Sequence, residues 1–139
     1  MHSCSSSAWC FRTVCVLRTP SLDLPHFLVR PELALVDALG KVLGGQDINF
    51  DQDPDFSKAF VLQGQDPEAT RELFDQRVRL HFLRYRNRRL RVEGCDRHLL
   101  LHDNKRRKPG ETKDLEDLTL SLFNLFRAAD DDQAPSAAS

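Results

Sequence analysis

The sequence has no catalytic, metal-ligating or nucleotide-binding motif that rises above chance. Its four cysteines, Cys4, Cys10, Cys15 and Cys95, form no CxxC pair and no recognisable disulfide framework. They are therefore expected to be reduced thiols, with burial accounting for at least one. On a strand over residues 8–18, Cys10 and Cys15 point to opposite faces, because they lie an odd number of residues apart. Long apolar runs are missing as well. The stretch 8–17 is interrupted by Arg12, is too short for a membrane span, and follows a polar start without the basic region or cleavage site of a signal peptide. As given, the chain is expected to be cytoplasmic or a fragment. No internal repeat is present; Gly-Gln-Asp occurs twice in different contexts.

What is present fits a single modest domain: 139 residues, 40% hydrophobic and 29% charged. Net charge is only −1, but it is unevenly spread. Residues 76–110 hold 12 Lys and Arg against Glu93, Asp96 and Asp103, a net of +9, so the remainder carries −10.

Residues 66–129 organise the chain. From near Thr112, Leu115, Leu118, Leu122, Leu125, Phe126 and Ala129 fall within one arc of a helix, with Pro109 and Gly110 as the preceding turn and Thr112 as N-cap. Two apolar runs, 90–93 and 98–102, read as a hairpin around Gly94, Cys95, Asp96 and Arg97. The segment 67–85 has two opposed apolar stripes, Ala69, Leu73, Leu80 and Leu83 against Phe74, Val78, Phe82 and Tyr85. A break with Asp75 as second N-cap lets two short helices each bury one face. Upstream, 8–18 reads as a strand, 27–29 as a short strand ended by Pro31, 32–43 as a helix stopped by Gly44 and Gly45, 48–50 as a minimal strand and 59–63 as a strand.

Candidate chemistry is mainly basic. Arg77, Arg79, Arg84, Arg86, Arg88, Arg89 and Arg91, then Lys105, Arg106, Arg107 and Lys108, suit phosphates of a nucleic acid or lipid head groups, with Tyr85 and Phe82 as the stacking candidates. The simpler reading is a solvated face whose arginine stems cover apolar surface while the heads pair with the acidic remainder. Asp51, Asp53 and Asp55 resemble a calcium loop, but Phe56 and Leu62 stand where glycine and a bidentate Glu are needed; Asp55 is expected to cap a helix instead. Cys95, His98 and His102 are no zinc set on a strand, where four residues span about 13 Å. A Cys95-centred thiol enzyme or hydrolase lacks an evident orienting group and oxyanion site.

Several blocks in order carry a further signal: Leu24-Pro25-His26-Phe27, Arg30-Pro31-Glu32, Gly45-Gln46-Asp47-Ile48-Asn49-Phe50, Asp55-Phe56-Ser57-Lys58, Val61-Leu62-Gln63-Gly64 and Val92-Glu93-Gly94. Together with the paired apolar strand and final helix, over residues 14–129, they resemble a family of uncharacterised bacterial proteins. Longer members carry one or two N-terminal transmembrane helices and additional strands, and no activity is established for the family. The resemblance implies the C-terminal half of a membrane-anchored α+β protein, whose missing strands would leave a sheet edge near 8–18 open to self-association. Asp75-Gln76 stands where relatives are expected to have Thr-Pro, consistent with the break. The dense run 84–91 and the segment 1–9 depart from the pattern.

These readings converge on an α+β domain over 8–129, a mainly antiparallel sheet with three to four helices packed on one face, flanked by a disordered N-terminus (1–7) and a disordered acidic tail (130–139). The leading functional expectation is a non-enzymatic interaction or structural module with an unknown protein partner and no cofactor. The alternative is nucleic-acid or anionic-membrane binding through residues 77–91 and 105–108, with Arg84, Arg86, Arg88, Arg89, Arg91, Lys105, Arg106, Arg107 and Lys108 as anion-binding residues.

Overall fold

The structure, a computed structural model, describes residues 12–32 and 47–133. Its elements are β1 (Cys15–Arg18), β2 (Leu24–Pro31), α1 (Pro54–Ala59), β3 (Phe60–Gly64), α2 (Pro67–Leu73), α3 (Gln76–Leu83), β4 (Arg91–Asp96), β5 (His98–His102) and α4 (Lys113–Gln133). The strands form one sheet in the order β1-β5-β4-β2-β3, antiparallel at every pairing. This is the expected α+β class.

Register decides which face is core. Val29 lies opposite Leu62 on one side and Val92 on the other, Val92 opposite Leu101, and Leu101 opposite Cys15. Because side chains alternate along each strand, these residues share one face, and helices α1 to α4 deliver Phe56, Leu73, Val78, Phe82, Leu115, Leu122 and Phe126 to the same apolar cluster. Phenylalanine rings form a linked network within it. Phe27 meets Phe74 at 5.1 Å and Phe126 at 5.6 Å between ring centroids, both edge-on, the arrangement the ring quadrupoles favour. Phe27 reaches them by lying over Gly94, where an added Cβ would come within 2.3 Å of the ring.

The helix break is as expected. α2 ends at Leu73, and the Asp75 carboxylate accepts the Val78 N–H at 3.0 Å to start α3. Of the paired stripes, Leu73, Phe74, Val78 and Phe82 are buried, whereas Leu80 remains about half exposed (51%). The final helix buries Leu115, Leu118, Leu122 and Phe126. Thr112 precedes it as expected, but its hydroxyl donates to the Glu116 carboxylate at 2.6 Å, while its carbonyl accepts the Glu116 N–H.

Four expectations need correction. β2 is a central strand of eight residues, longer than 27–29, because its prolines occupy its ends: the pairing with β4 shifts register between Leu24 and Phe27, around Pro25, and Pro31 is last. The strand at 48–50 reduces to a bridge between Asp47 and Gln63, since Phe50 turns into the core and gives its N–H to Ser57 Oγ at 3.0 Å. The cap of α1 is Asp53, not Asp55; its carboxylate accepts the Phe56 N–H at 3.3 Å. Finally, α4 runs to Gln133, past the boundary at 129, so the first residues of the acidic segment continue the helix.

Glu32 donates its N–H to Ala59 O at 3.0 Å. The rest of the helix expected over 32–43, the segments 1–7 and 8–11 with Cys4 and Cys10, residues 134–139 and the side chain of Ala129 lie outside the described residues. Among the described residues, β1 ends the sheet, and no helix is long and apolar enough to cross a membrane.

The Phe27–Gly94 contact gives a direct test of this packing. Gly94→Ala is expected to lower stability by about 1–3 kcal/mol, because a buried aromatic ring must shift to admit a methyl group; urea unfolding of the two proteins measures it.

Candidate anion-binding site

The basic residues divide into three groups once their backbone is traced. After α3 the chain tightens into a series of i+3 turns, with Arg84, Tyr85, Arg86 and Arg88 donating to His81, Phe82, Leu83 and Tyr85. Arg89 then adopts a left-handed φ of 53°, which swings Leu90 into the core and starts β4. Asn104, at φ 64°, reverses the chain in the same way after β5.

The first group is structural. Asp103 is fully buried, and its carboxylate accepts from Arg107 through both guanidinium arms at 2.7 Å and from Arg88 at 2.9 Å. Both arginines also reach Asp114 at the start of α4, at 3.0 and 3.4 Å. Burial alone would raise the Asp103 pKa; the hydrogen bonds and charges of Arg107 and Arg88 overcome it and hold the carboxyl at about 2. Arg79 belongs with these. It is buried, donates to Asp53 at 2.9 Å and to Phe74 O at 2.7 Å, and lies 4.5 Å above the Phe50 ring.

The second group, Arg84, Arg86, Lys105, Arg106 and Lys108, is exposed. Their two segments flank the β4–β5 pairing at Arg91 and His102, and Arg88 and Arg107 tie them to one carboxylate.

The third group lines a cleft. Arg91 is paired with His102 across β4 and β5, and with Arg30 on β2 these form a row on the sheet face opposite the phenylalanine core. Arg89, Arg12, Pro31 and Asn104 complete a cleft of about 200 Å³. Arg12 is brought there because Thr13 donates its N–H to Lys105 O at 2.8 Å and its hydroxyl accepts the Arg107 N–H at 2.7 Å. No carboxylate lines the cleft among the described residues. Burial lowers the Arg91 pKa; Glu93 opposes the shift, and the Arg30 and Arg12 charges add to it. His102 is driven down to about 4, by burial first and then by the Arg12 and Arg91 charges, against the pull of Asp103. Its Nδ1 accepts the Asn104 N–H at 3.2 Å, so the neutral ring carries its proton on Nε2.

Sequence reasoning thus identified Arg89 and Arg91 but missed Arg12, Arg30 and the part played by His102. The signal for Arg30 was an arginine closing an apolar strand immediately before Pro31, a position where a charge is buried by its neighbours. A second cleft, of about 590 Å³ at the hairpin end, is lined by Arg18, Arg97 and His98 but also by Asp23 and Asp96, so its charges are already mixed in sign. Cys95 and His98 are cross-strand partners beside it and both are exposed. Among the described residues no three His, Cys, Asp or Glu side chains converge as a metal site would require.

The buried titratable pair makes stability pH-dependent. His102 binds its proton more weakly folded than unfolded, so stability falls as pH drops from about 6.5 to about 4; Asp103 then contributes a further fall from about 3.8 to about 2. Urea unfolding across pH is expected to show both windows, and Asp103→Asn is expected to cost about 2–4 kcal/mol at neutral pH by leaving two guanidinium groups without their buried acceptor. No protein-family model matches this chain, and neither a curated protein nor a solved structure matches it.

Proposed function

We propose that this chain is a non-enzymatic binding module whose basic surface takes the phosphate backbone of a nucleic acid without reading its sequence. One observation carries the reading: Arg88 and Arg107 share the Asp103 carboxylate, so that the two segments bearing the exposed Arg84, Arg86, Lys105, Arg106 and Lys108 are tied to one point. Closely spaced like charges repel, and a polyanion relieves that repulsion while releasing its condensed counterions. Of the two stacking candidates Phe82 is buried and Tyr85 is half-buried, with the His81 ring edge-on at 5.3 Å and the Arg88 guanidinium 5.9 Å from its ring centre. Backbone recognition of a duplex therefore suits the surface better than base stacking on a single strand. The resemblance to membrane-anchored bacterial proteins supplies the expected setting of such a module, beside a membrane.

Anisotropy of a labelled duplex measures this. With about three phosphate contacts the log–log salt slope is about −2.7, so raising salt from ~50 to ~200 mM is expected to weaken binding about fortyfold. Arg84→Gln with Lys108→Gln is expected to flatten that slope by about two contacts' worth. Absence of binding at ~50 mM salt overturns the proposal.

A further inference from the structure

We infer that the Arg88–Arg107 pair is where one backbone phosphate of the nucleic acid docks, and that in the free protein the Asp114 carboxylate fills this place until that phosphate displaces it. The site belongs to the polyanion-binding reading above and rests on it.

Two carboxylates share the two guanidinium groups, one fixed and one exchangeable. The Asp103 side chain is fully buried and accepts from both arms of Arg107 at 2.7 Å and from Arg88 at 2.9 Å. The Asp114 side chain is 58% exposed and stands 3.0 Å from Arg88 and 3.4 Å from Arg107. An ion pair that reaches so far into solvent contributes little, so releasing Asp114 costs little, while Asp103 keeps both guanidinium groups in place. The released carboxylate is not stranded. Asp114 lies in the first turn of α4, where the helix dipole favours negative charge.

The contacts of Asp114 also specify what replaces it. Its Oδ2 lies on Arg88 and its Oδ1 on Arg107, so the two oxygens of one singly charged group span two guanidinium groups. A phosphodiester carries the same single charge and likewise has two non-bridging oxygens. It can take over both contacts without altering the charge balance of the pair, and guanidinium donors match phosphate oxygens as well as carboxylate oxygens. The pair is also the point common to the two segments that bear Arg84, Arg86, Lys105 and Lys108. Asp114 is thus an internal competitor, and it sets the affinity for a polyanion below what the basic residues alone would give.

The test uses the full chain and a short labelled duplex, with binding read by anisotropy. Asp114→Asn leaves Asp103 holding both arginines and so keeps the fold. It is expected to tighten duplex binding about tenfold at ~50 mM salt and about threefold at ~200 mM, the log–log slope steepening by about 0.9 for one unopposed phosphate contact. Asp117→Asn removes the same charge farther along α4, from a side chain 59% exposed and paired with Lys113 at 3.4 Å, and is expected to change affinity by about twofold or less. Displacement is also read in the parent without any substitution: the NMR resonance of the Asp114 side-chain carboxyl carbon is expected to shift as duplex saturates the protein, while that of Asp117 stays in place. Equal gains from Asp114→Asn and Asp117→Asn, or an unmoved Asp114 resonance in a parent that binds duplex, overturn the inference and leave the binding module standing. If only Asp114→Asn binds, the reading of the parent falls while the Arg88–Arg107 site stands, closed by Asp114; if neither protein binds, both fall. Polyglutamate that displaces the duplex from Asp114→Asn as effectively as unlabelled duplex does assigns the pair to an acidic protein and overturns the phosphate.

Discussion

The buried carboxylate of Asp103 is the constraint on which the basic half of this molecule depends. It accepts from Arg107 and Arg88, and through them is coupled to Asp114 on α4, so one anion fixes the turn after α3, the loop after β5 and the start of the last helix relative to one another. A charge so deeply buried is tolerated only because its partners supply several charge-assisted hydrogen bonds, which is also why its pKa is held near 2. The β4–β5 ladder sets Arg91 beside His102, and the shared carboxylate offsets the repulsion between the basic segments that extend from that pairing.

The two faces of the sheet are used differently. One carries the phenylalanine cluster, closed by the fit of Phe27 over Gly94, and receives α1 to α4. The other carries Arg30, Arg91 and His102 in a row across three strands. The apolar side holds the strands at the spacing that sets the row. The backbone positions of that row are therefore determined by the core packed on the other side.

Much of the local structure was legible in the residues. Asp75 could be assigned as a cap because two opposed apolar stripes rule out one exposed helix, and Leu115, Leu118, Leu122 and Phe126 spell a core-facing arc without outside help. Errors arose where local rules met tertiary demands. The prolines of β2 shortened the expected strand, yet a bulge and a strand terminus accommodate both. Asp53 and Asp55 are equally good caps by type; Asp53 was selected by a helix starting at Pro54 and by Arg79 arriving from α3 to share its carboxylate. Of the candidate anion-binding arginines, the residues alone did not separate Arg88 and Arg107, which are consumed internally, from Arg89 and Arg91, which line a cleft.

By itself, then, the sequence determined the α+β class, the helix break, the presence of the hairpin and the polarised charge, because periodicity, caps and turns are set by residues within a few positions of one another; the hairpin loop expected over 94–97 is tighter, since Gly94, Cys95 and Asp96 belong to β4. Only the tertiary structure decided what each arginine does. Whether a guanidinium is neutralised, solvated or available to a ligand depends on which carboxylates and which other cations the fold brings within a few ångströms. Arg12, Arg30 and Arg91 share a cleft, and Arg88 and Arg107 share Asp103, through strand pairing and loop contacts between residues far apart along the chain.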